Sequence, residues 1–221
     1  MIAQDFAIAA GEYRITVRYE PASVVTGAPL FVFAHGAGGH MADRGMNALA
    51  TLLRACGLDV ARFDFPYRAR GSRRPDPMPR LAECLATVAK KVAAEIGATR
   101  LVIGGRSMGG RAASMLAAEG FACDRLLLLA YPLHPAGEPT KLRDAHLSRI
   151  AVPVLCFNGT RDALCRRDLM EATLCKVSAP WTMHWLEGAD HSFRVLKSSG
   201  RTEAQVDAEI AEATARWLSS L

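Results

Sequence analysis

The chain has 221 residues, of which 50% are hydrophobic, and its 27 basic side chains against 22 acidic ones give a net charge of +5. This length suits a single α/β domain over residues 1–221, which needs neither a disulfide nor a metal for its stability. The six cysteines form no C-x-x-C pair, which excludes a zinc knuckle and a dithiol redox motif.

The N-terminal segment predicts an antiparallel hairpin. Residues Asp5–Ala9 and Tyr13–Glu20 alternate apolar and polar side chains on either side of Gly11-Glu12. The segment carries no basic leader, and no apolar run in the chain approaches the length of about 18 residues that a membrane span needs. We therefore expect cytoplasmic residence and no membrane partner.

The rest of the chain alternates between buried strands and helices. Leu30–Ala34 is continuously apolar, as expected for a strand that is buried on both faces. The later predicted elements are a helix from about Asp43 to Cys56, strand Val60–Asp64, a helix from about Leu81 to Ile96, strand Leu101–Ile103, helix Arg111–Glu119, strands Arg125–Ala130, Val152–Phe157 and Trp181–Leu186, and a closing helix from near Thr202. Such alternation predicts parallel βαβ units, in a mostly parallel sheet of about seven to eight strands with helices on both faces.

The closing helix carries its own start signal. Gln205 stands three residues after Thr202, which is the spacing of a capping box. Val206, Ile210 and Trp217 recur at helical spacing, so one face of this helix is expected to pack on the sheet.

The segment Gly104–Gly110 is the strongest functional signal. Its Gly105-x-Ser107-x-Gly109 pattern, between an apolar strand and a helix, matches a nucleophile elbow. Ser107 would lie at a helix N-terminus, where unpaired N–H groups favour the negative charge of a tetrahedral acyl-transfer intermediate. The alternative is an ordinary N-cap serine in a glycine-rich turn. The partners found further along the chain favour the nucleophile.

Two of these partners follow later strands. Ligands meet the carboxyl ends of parallel strands, and Asp162 and His191 come just after two such ends. A serine hydroxyl is a poor nucleophile until a histidine removes its proton and a carboxylate orients that histidine. We predict Ser107 as nucleophile, His191 as base and Asp162 as orienting carboxylate. Asp190 is the rival carboxylate, although adjacent side chains on a loop tend to diverge.

The other histidines are weaker candidates for the base. His184 falls in the middle of a predicted strand, whereas His40 and His146 lie in loops or helix starts with no partner visible in the sequence.

An oxyanion hole needs two N–H donors. The Met108 amide, directly after the nucleophile, supplies one, and the second is expected from the glycine-rich segment after Ala34. We favour the Ala37 amide, with Gly38 as the alternative, and we expect Gly36 and Gly38 to contact substrate. His35 is expected to brace this loop.

Five motifs in order resemble one family. They are Phe33–Gly38, Phe63–Tyr67, Gly104–Arg111, Tyr131–Pro135 and Gly159–Asp162. The chain resembles the small lidless α/β-hydrolases related to dienelactone hydrolase, and within them bacterial predicted hydrolases that resemble an animal NSL-complex subunit. The resemblance implies an α/β-hydrolase fold, the triad Ser107, Asp162 and His191, and catalysis without metal or cofactor. Because dienelactone hydrolases use cysteine where this chain has Ser107, their lactone substrate is not carried over.

Two connections bear on the substrate. About 20 residues join Tyr131 to Val152, too few for a separate lid domain. The loop Phe65–Arg80 contains five arginines and one acid. We favour a solvated rim for these arginines. The alternative is that, together with Arg106, they attract an anionic ester or thioester. His134 either lines the pocket or caps the core.

We therefore predict a serine hydrolase that cleaves small carboxylic esters or thioesters through an acyl-enzyme. The alternative is a catalytically weak interaction module that uses the arginine-rich loop 65–80. Nucleic acid is not an expected partner, because no aromatic stacking platform accompanies the arginines. The physiological substrate and the oligomeric state are left open by the sequence.

Overall fold

A computed structural model describes residues 3–23 and 27–219 of the chain. In these residues eight strands form one mixed sheet. The strands are β1 (Gln4–Ala10), β2 (Tyr13–Glu20), β3 (Leu30–Ala34), β4 (Asp59–Phe63), β5 (Leu101–Arg106), β6 (Arg125–Leu129), β7 (Val154–Gly159) and β8 (Trp181–Leu186). Their order across the sheet is β1-β2-β4-β3-β5-β6-β7-β8. Strands β1 and β2 pair antiparallel, β2 pairs antiparallel with β4, and the remaining pairs are parallel. The predicted hairpin and mostly parallel sheet are confirmed.

Helices cover both faces of this sheet, as predicted. They are α1 (Arg44–Ala55), α2 (Pro66–Ala69), α3 (Met78–Ile96), α4 (Met108–Ala118), α5 (Arg167–Leu174) and α6 (Glu203–Leu218), with 3₁₀ turns at Leu147–Arg149 and Lys197–Ser199. Buried side chains of α1 and α6, such as Leu53 and Ile210, pack on one face. Those of α3 and α4, such as Val88 and Leu116, pack on the other. This arrangement leaves the carboxyl ends of the parallel strands free to carry a site.

The proline-rich segment is more helical than predicted. It contains the short helix α2, and α3 begins at Met78 rather than near Leu81. Proline fits the first turn of a helix because the N–H that it lacks has no intrahelical acceptor there. Pro66 and Pro79 occupy such positions. The prolines therefore start helices in a segment where the sequence suggests only a loop.

Strand β7 is shifted along the chain relative to its prediction. It begins at Val154 rather than Val152 and continues through Asn158 and Gly159. The extension forms because these last two residues pair with Trp185 and Leu186 of β8. This places Asn158 inside the sheet, with consequences for the site. Helix α5 is absent from the predicted elements.

The predicted start of the last helix is confirmed. Thr202 accepts a hydrogen bond from the Gln205 backbone N–H, and the Gln205 side chain accepts one from the Thr202 N–H, which completes a capping box. Val206, Ile210 and Trp217 are all buried against the sheet.

The connection between Tyr131 and Val152 is compact, and its one described helical turn is the 3₁₀ segment Leu147–Arg149. No separate lid domain is present in the described chain, as predicted. The helices of this part of the chain include none that is long and apolar enough to cross a membrane. Cytoplasmic residence stays a prediction. It rests on the N-terminal segment, of which Met1 and Ile2 lie outside the described residues.

Candidate active site

The turn between β5 and α4 holds Ser107 in an unusual backbone conformation. Its φ is 50° and its ψ is −113°, a region that residues other than glycine rarely adopt. The Ser107 N–H donates to the Leu129 carbonyl of the neighbouring strand β6 at 2.8 Å, which fixes the turn. This is the strained strand-to-helix geometry of a nucleophile elbow.

Close backbone packing explains a glycine of the motif. A Cβ on Gly109 would stand 2.5 Å from the Ala34 carbonyl oxygen at the end of β3. Backbone atoms cannot yield as a flexible side chain can. The first turn of α4 therefore lies directly against β3 and the loop that follows it.

The structure brings the three predicted side chains of the triad together. Ser107 Oγ lies 2.9 Å from His191 Nε2, and His191 Nδ1 lies 2.8 Å from Asp162 Oδ2. The Asp162 side chain is fully buried, whereas that of His191 is 28% exposed. Ser107 and His191 are thus partly reachable from solvent, and the Asp162 carboxylate is shielded from it.

A residue that the sequence analysis missed holds the carboxylate. Asn158 Nδ2 donates to Asp162 Oδ2 at 3.1 Å, and the Leu164 N–H donates to Oδ1 at 2.8 Å. Asn158 is fully buried and also exchanges hydrogen bonds with the backbone of Tyr131 at 3.0 and 3.2 Å. The available signal was a polar side chain at the end of an otherwise apolar strand.

Asp190, the rival carboxylate, has different partners. Its Oδ1 accepts hydrogen bonds from the backbone N–H groups of Ser192 at 2.7 Å and Arg194 at 3.0 Å. Within the described residues, no hydrogen bond joins its carboxylate to the His191 ring. Asp190 stabilises the loop that carries the histidine.

Of the two residues proposed for the oxyanion hole, Ala37 lines one cleft with Ser107, whereas Met108 is not among the described residues that line it. This cleft of about 390 Å³ is lined by Gly36, Ala37, Gly39, Arg106, Ser107 and His191, among others. Gly38, with φ of 71°, belongs to the turn closed by the Gly39 N–H to Gly36 carbonyl bond but is not a lining residue. The arrangement favours Ala37 over Gly38 as the second donor.

His35 fixes the loop from beneath. It is fully buried, its Nδ1–H donates to the Gly36 carbonyl at 2.8 Å, and its Nε2 accepts the Phe65 N–H at 3.2 Å. Burial lowers the pKa of His35, which favours the neutral ring that these two bonds require.

The two other predicted substrate-binding side chains differ in placement. Arg106 lines the cleft and donates through Nη2 to the His191 carbonyl at 3.3 Å. His134 is buried, donates to the Pro135 carbonyl at 2.9 Å and accepts the Arg166 N–H at 3.1 Å. It is not among the described residues that line the cleft, so its geometry supports the core-capping alternative.

The remaining histidines have partners of their own. His40 lies 2.9 Å from Asp43, and His184 lies 2.8 Å from Glu209. His146 lies 2.8 Å from Ser114 Oγ, and burial lowers the pKa of His146 to about 4. Nowhere in ranges 3–23 and 27–219 do three or more His, Cys, Asp or Glu side chains converge as metal ligands.

The arginine-rich loop is attached to the N-terminal hairpin. Arg70 and Arg80 both lie over the ring of Tyr13, at 5.0 and 5.4 Å. Arg70 pairs with Asp76 at 2.6 Å, and Arg80 pairs with Glu12 at 3.3 Å. The cleft at Ser107 is lined by none of the described arginines of this loop.

The comparisons with known proteins agree with this architecture. Residues 27–219 match the family model described as an alpha/beta hydrolase domain. An alpha-beta serine hydrolase homologue from Coxiella burnetii is similar with a TM-score of 0.77 at 20% identity, over 98% of this chain and 97% of that one. A serine hydrolase without a lid from Xanthomonas campestris gives 0.76 at 20% identity, over 98% and 95%.

A dienelactone hydrolase from Anabaena variabilis gives a TM-score of 0.74 at 19% identity, over 100% of this chain and 99% of that one. At such identities these structures show a shared fold. The expected likeness to lidless, dienelactone hydrolase-like proteins is confirmed at that level. The narrower likeness to the NSL-complex-subunit branch stays a prediction.

Proposed function

Because the chain belongs to the α/β-hydrolase domain family, we propose that it is a serine hydrolase that cleaves small carboxylic esters or thioesters. The observation that carries the proposal is the hydrogen-bonded series from Ser107 Oγ through the His191 ring to Asp162. Since one fold supports many functions, these side chains support the proposed function more strongly than the fold does.

The first half-reaction transfers the acyl group to the enzyme. Ser107 Oγ attacks the carbonyl carbon while His191 Nε2 accepts its proton, and Asp162 stabilises the imidazolium that forms. His191 then donates this proton to the departing alcohol or thiol, and the bond between the acyl carbon and that group breaks. The product on the enzyme is an ester of Ser107.

Water completes the cycle. His191 removes a proton from a water molecule, whose oxygen attacks the acyl carbon, and Ser107 Oγ leaves with the proton returned by His191. In both halves the Met108 and Ala37 amides hold the oxyanion. Removal of one such donor typically costs about 10²- to 10³-fold in kcat.

The shape of the cleft supports small substrates. Its volume is about 390 Å³, and no separate lid domain covers it among the described residues. The proposed substrate is therefore a small acyl ester or thioester that enters from solvent. The alternative of an interaction module has less support, because Arg70 and Arg80 of loop 65–80 already pair with acids of this chain.

The direct test is turnover of 4-nitrophenyl hexanoate by Ser107→Ala. We expect kcat to fall by at least about 10⁴-fold, because the nucleophile is removed. Ser148→Ala, which alters an exposed serine of a 3₁₀ turn away from the cleft, is the matched control and should retain activity. Hydrolysis by Ser107→Ala at the wild-type rate would refute the proposal.

A further inference from the structure

A second cleft adjoins the one at Ser107. It has a volume of about 650 Å³, and Arg106 lines both clefts. Its walls come from the start of α1, the loop after β8 and the start of α6. Its lining includes five charged side chains and one aromatic ring, which are Arg44, Arg106, Arg194, Glu203, Asp207 and Phe193.

One side of this cleft is strongly basic. Arg106 is partly buried, its Nη2 donates to the His191 carbonyl, and its Nη1 lies 3.0 Å from the position that a Cβ on Gly45 would take. Arg44 and Arg194 are exposed at the rim. No carboxylate of the described chain lies within 4.0 Å of these three guanidinium groups. They retain free N–H donors in the fork geometry that binds a carboxylate or a phosphate.

The loop that carries Arg194 is held rigidly. Phe193 has a φ of 63°, a strained value for a residue with a side chain. The strain is maintained by Asp190, whose carboxylate accepts the Ser192 and Arg194 N–H groups and whose N–H donates to the Arg194 carbonyl at 2.9 Å. The side chain of Phe193 is thereby buried in the wall of the cleft, and Arg194 follows it at the rim.

The start of α6 adds two acidic side chains to the lining of this cleft. Glu203 and Asp207 begin α6, one turn apart. Burial and the neighbouring charge of Glu203 raise the pKa of Asp207. The charged side chains that line the cleft are three arginines and these two carboxylates, so their net charge of +1 (3 − 2) is balanced by one carboxylate and exceeded by a dianion. The cleft therefore suits a carboxylate better than a phosphate group.

We propose that this second cleft binds a carboxylate carried on the acyl chain of the substrate, so that monoesters or monothioesters of dicarboxylic acids are the preferred substrates. The inference rests on the proposed hydrolase function. Because Arg106 lines both clefts, it connects the proposed anion site to the cleft that contains Ser107. Leu49 and Phe193, both buried in the cleft wall, offer an apolar surface to the methylene chain.

The test compares three substrates that differ only at the end of the acyl chain. They are the mono-4-nitrophenyl ester of adipic acid, 4-nitrophenyl hexanoate and 4-nitrophenyl 5-phosphonopentanoate. The rate with each ester is corrected for its spontaneous hydrolysis. The wild-type protein should show the highest kcat/KM for the adipate ester. Its preference for adipate over hexanoate should weaken in high salt, because the rim charges are screened.

The variant Arg44→Met/Arg194→Met should lower the adipate-to-hexanoate ratio of kcat/KM by about tenfold, as expected for two charge-assisted contacts at a partly exposed site. Arg14→Met/Arg149→Met removes two exposed arginines that line neither cleft, and it is the matched control for net charge. Its ratio should equal that of the wild-type protein. Thermal melting of each variant checks that the fold is retained.

The outcomes separate the two proposals. An unchanged ratio in the folded Arg44→Met/Arg194→Met variant, with hexanoate still hydrolysed by a Ser107-dependent reaction, overturns the carboxylate site and leaves the hydrolase standing. A wild-type preference for the phosphonate overturns the assignment of a monoanion. No hydrolysis of any of the three esters by the wild-type protein overturns both.

Discussion

Asp162 and Asp190 lie near the same histidine but serve different partners. Asp162 is buried and meets His191 Nδ1 at 2.8 Å, whereas Asp190 accepts backbone N–H groups of its own loop. A carboxylate that is held by Asn158 and the Leu164 N–H cannot turn away from the imidazole. We therefore propose the orienting role for Asp162.

This assignment predicts a contrast between two conservative substitutions. Asp162→Asn should lower kcat by about 10⁴-fold, because an amide stabilises the wrong tautomer of His191 and cannot balance the imidazolium. Asp190→Asn retains an oxygen that can accept the same two N–H groups and should cost far less. Steady-state kinetics with 4-nitrophenyl hexanoate measure both. A larger loss for Asp190→Asn would reverse the assignment.

At this scale the sequence indicated the residues of the proposed triad better than the residues that hold them. Ser107, Asp162 and His191 follow strand ends in a recognisable order, and the structure brings them together. Asn158 escaped prediction because its role depends on the pairing that extends β7. The backbone N–H of His134 donates to the Leu164 carbonyl, and this bond joins the loops after β6 and β7. The packing of the two loops buries His134. A polar residue at the end of an apolar strand marks Asn158 but does not reveal its partners, and the His134 contact has no local sequence signal.

Among the elements, α4 and β3 are the pair whose contact shapes the site. The first turn of α4 lies so close to β3 that a Cβ on Gly109 would stand 2.5 Å from the Ala34 oxygen and 2.7 Å from the His35 oxygen. The same contact brings the loop after β3 to Ser107, and a Cβ on Gly36 would stand 3.6 Å from the Cβ of Ser107. The packing of the two elements thus assembles both halves of the proposed oxyanion hole.

Gly109→Ala should therefore destabilise the protein by about 3 kcal/mol or more, because a methyl group cannot be accommodated between backbone atoms without moving α4. Gly36→Ala is the matched control, since its Cβ would meet neighbours at 3.5 and 3.6 Å, which are ordinary contacts. Urea denaturation followed by circular dichroism measures both. Equal stability of Gly109→Ala and wild type would contradict this packing.

The sequence predicted most elements, and two of its errors, the missed α2 and the late predicted start of α3, have a common cause. Alternating and continuous apolar runs correctly indicated the hairpin and the buried strands. The composition around Pro66 and Pro79 indicates a loop, although both prolines occupy first turns of helices. Local composition cannot distinguish a proline that ends a segment from one that starts a helix.

For the whole molecule, the positions of the arginines matter more than the net charge of the chain. The net charge of +5 and the arginines of loop 65–80 indicate a basic loop, for which a solvated rim is the favoured interpretation and substrate attraction is the alternative. In the structure Arg70 and Arg80 pair with acids beside the hairpin, whereas Arg44, Arg106 and Arg194 converge on a cleft from three distant parts of the sequence. Only the fold reveals such a convergence.

The central claim, that Ser107 is an activated nucleophile, is tested most directly by a fluorophosphonate probe. Intact-mass measurement followed by peptide mapping should find one adduct per chain, on Ser107, in the wild-type protein. Ser107→Ala should remain unlabelled, although Ser114, Ser148 and Ser192 are still present. An adduct on another serine, or equal labelling of Ser107→Ala, would contradict the account.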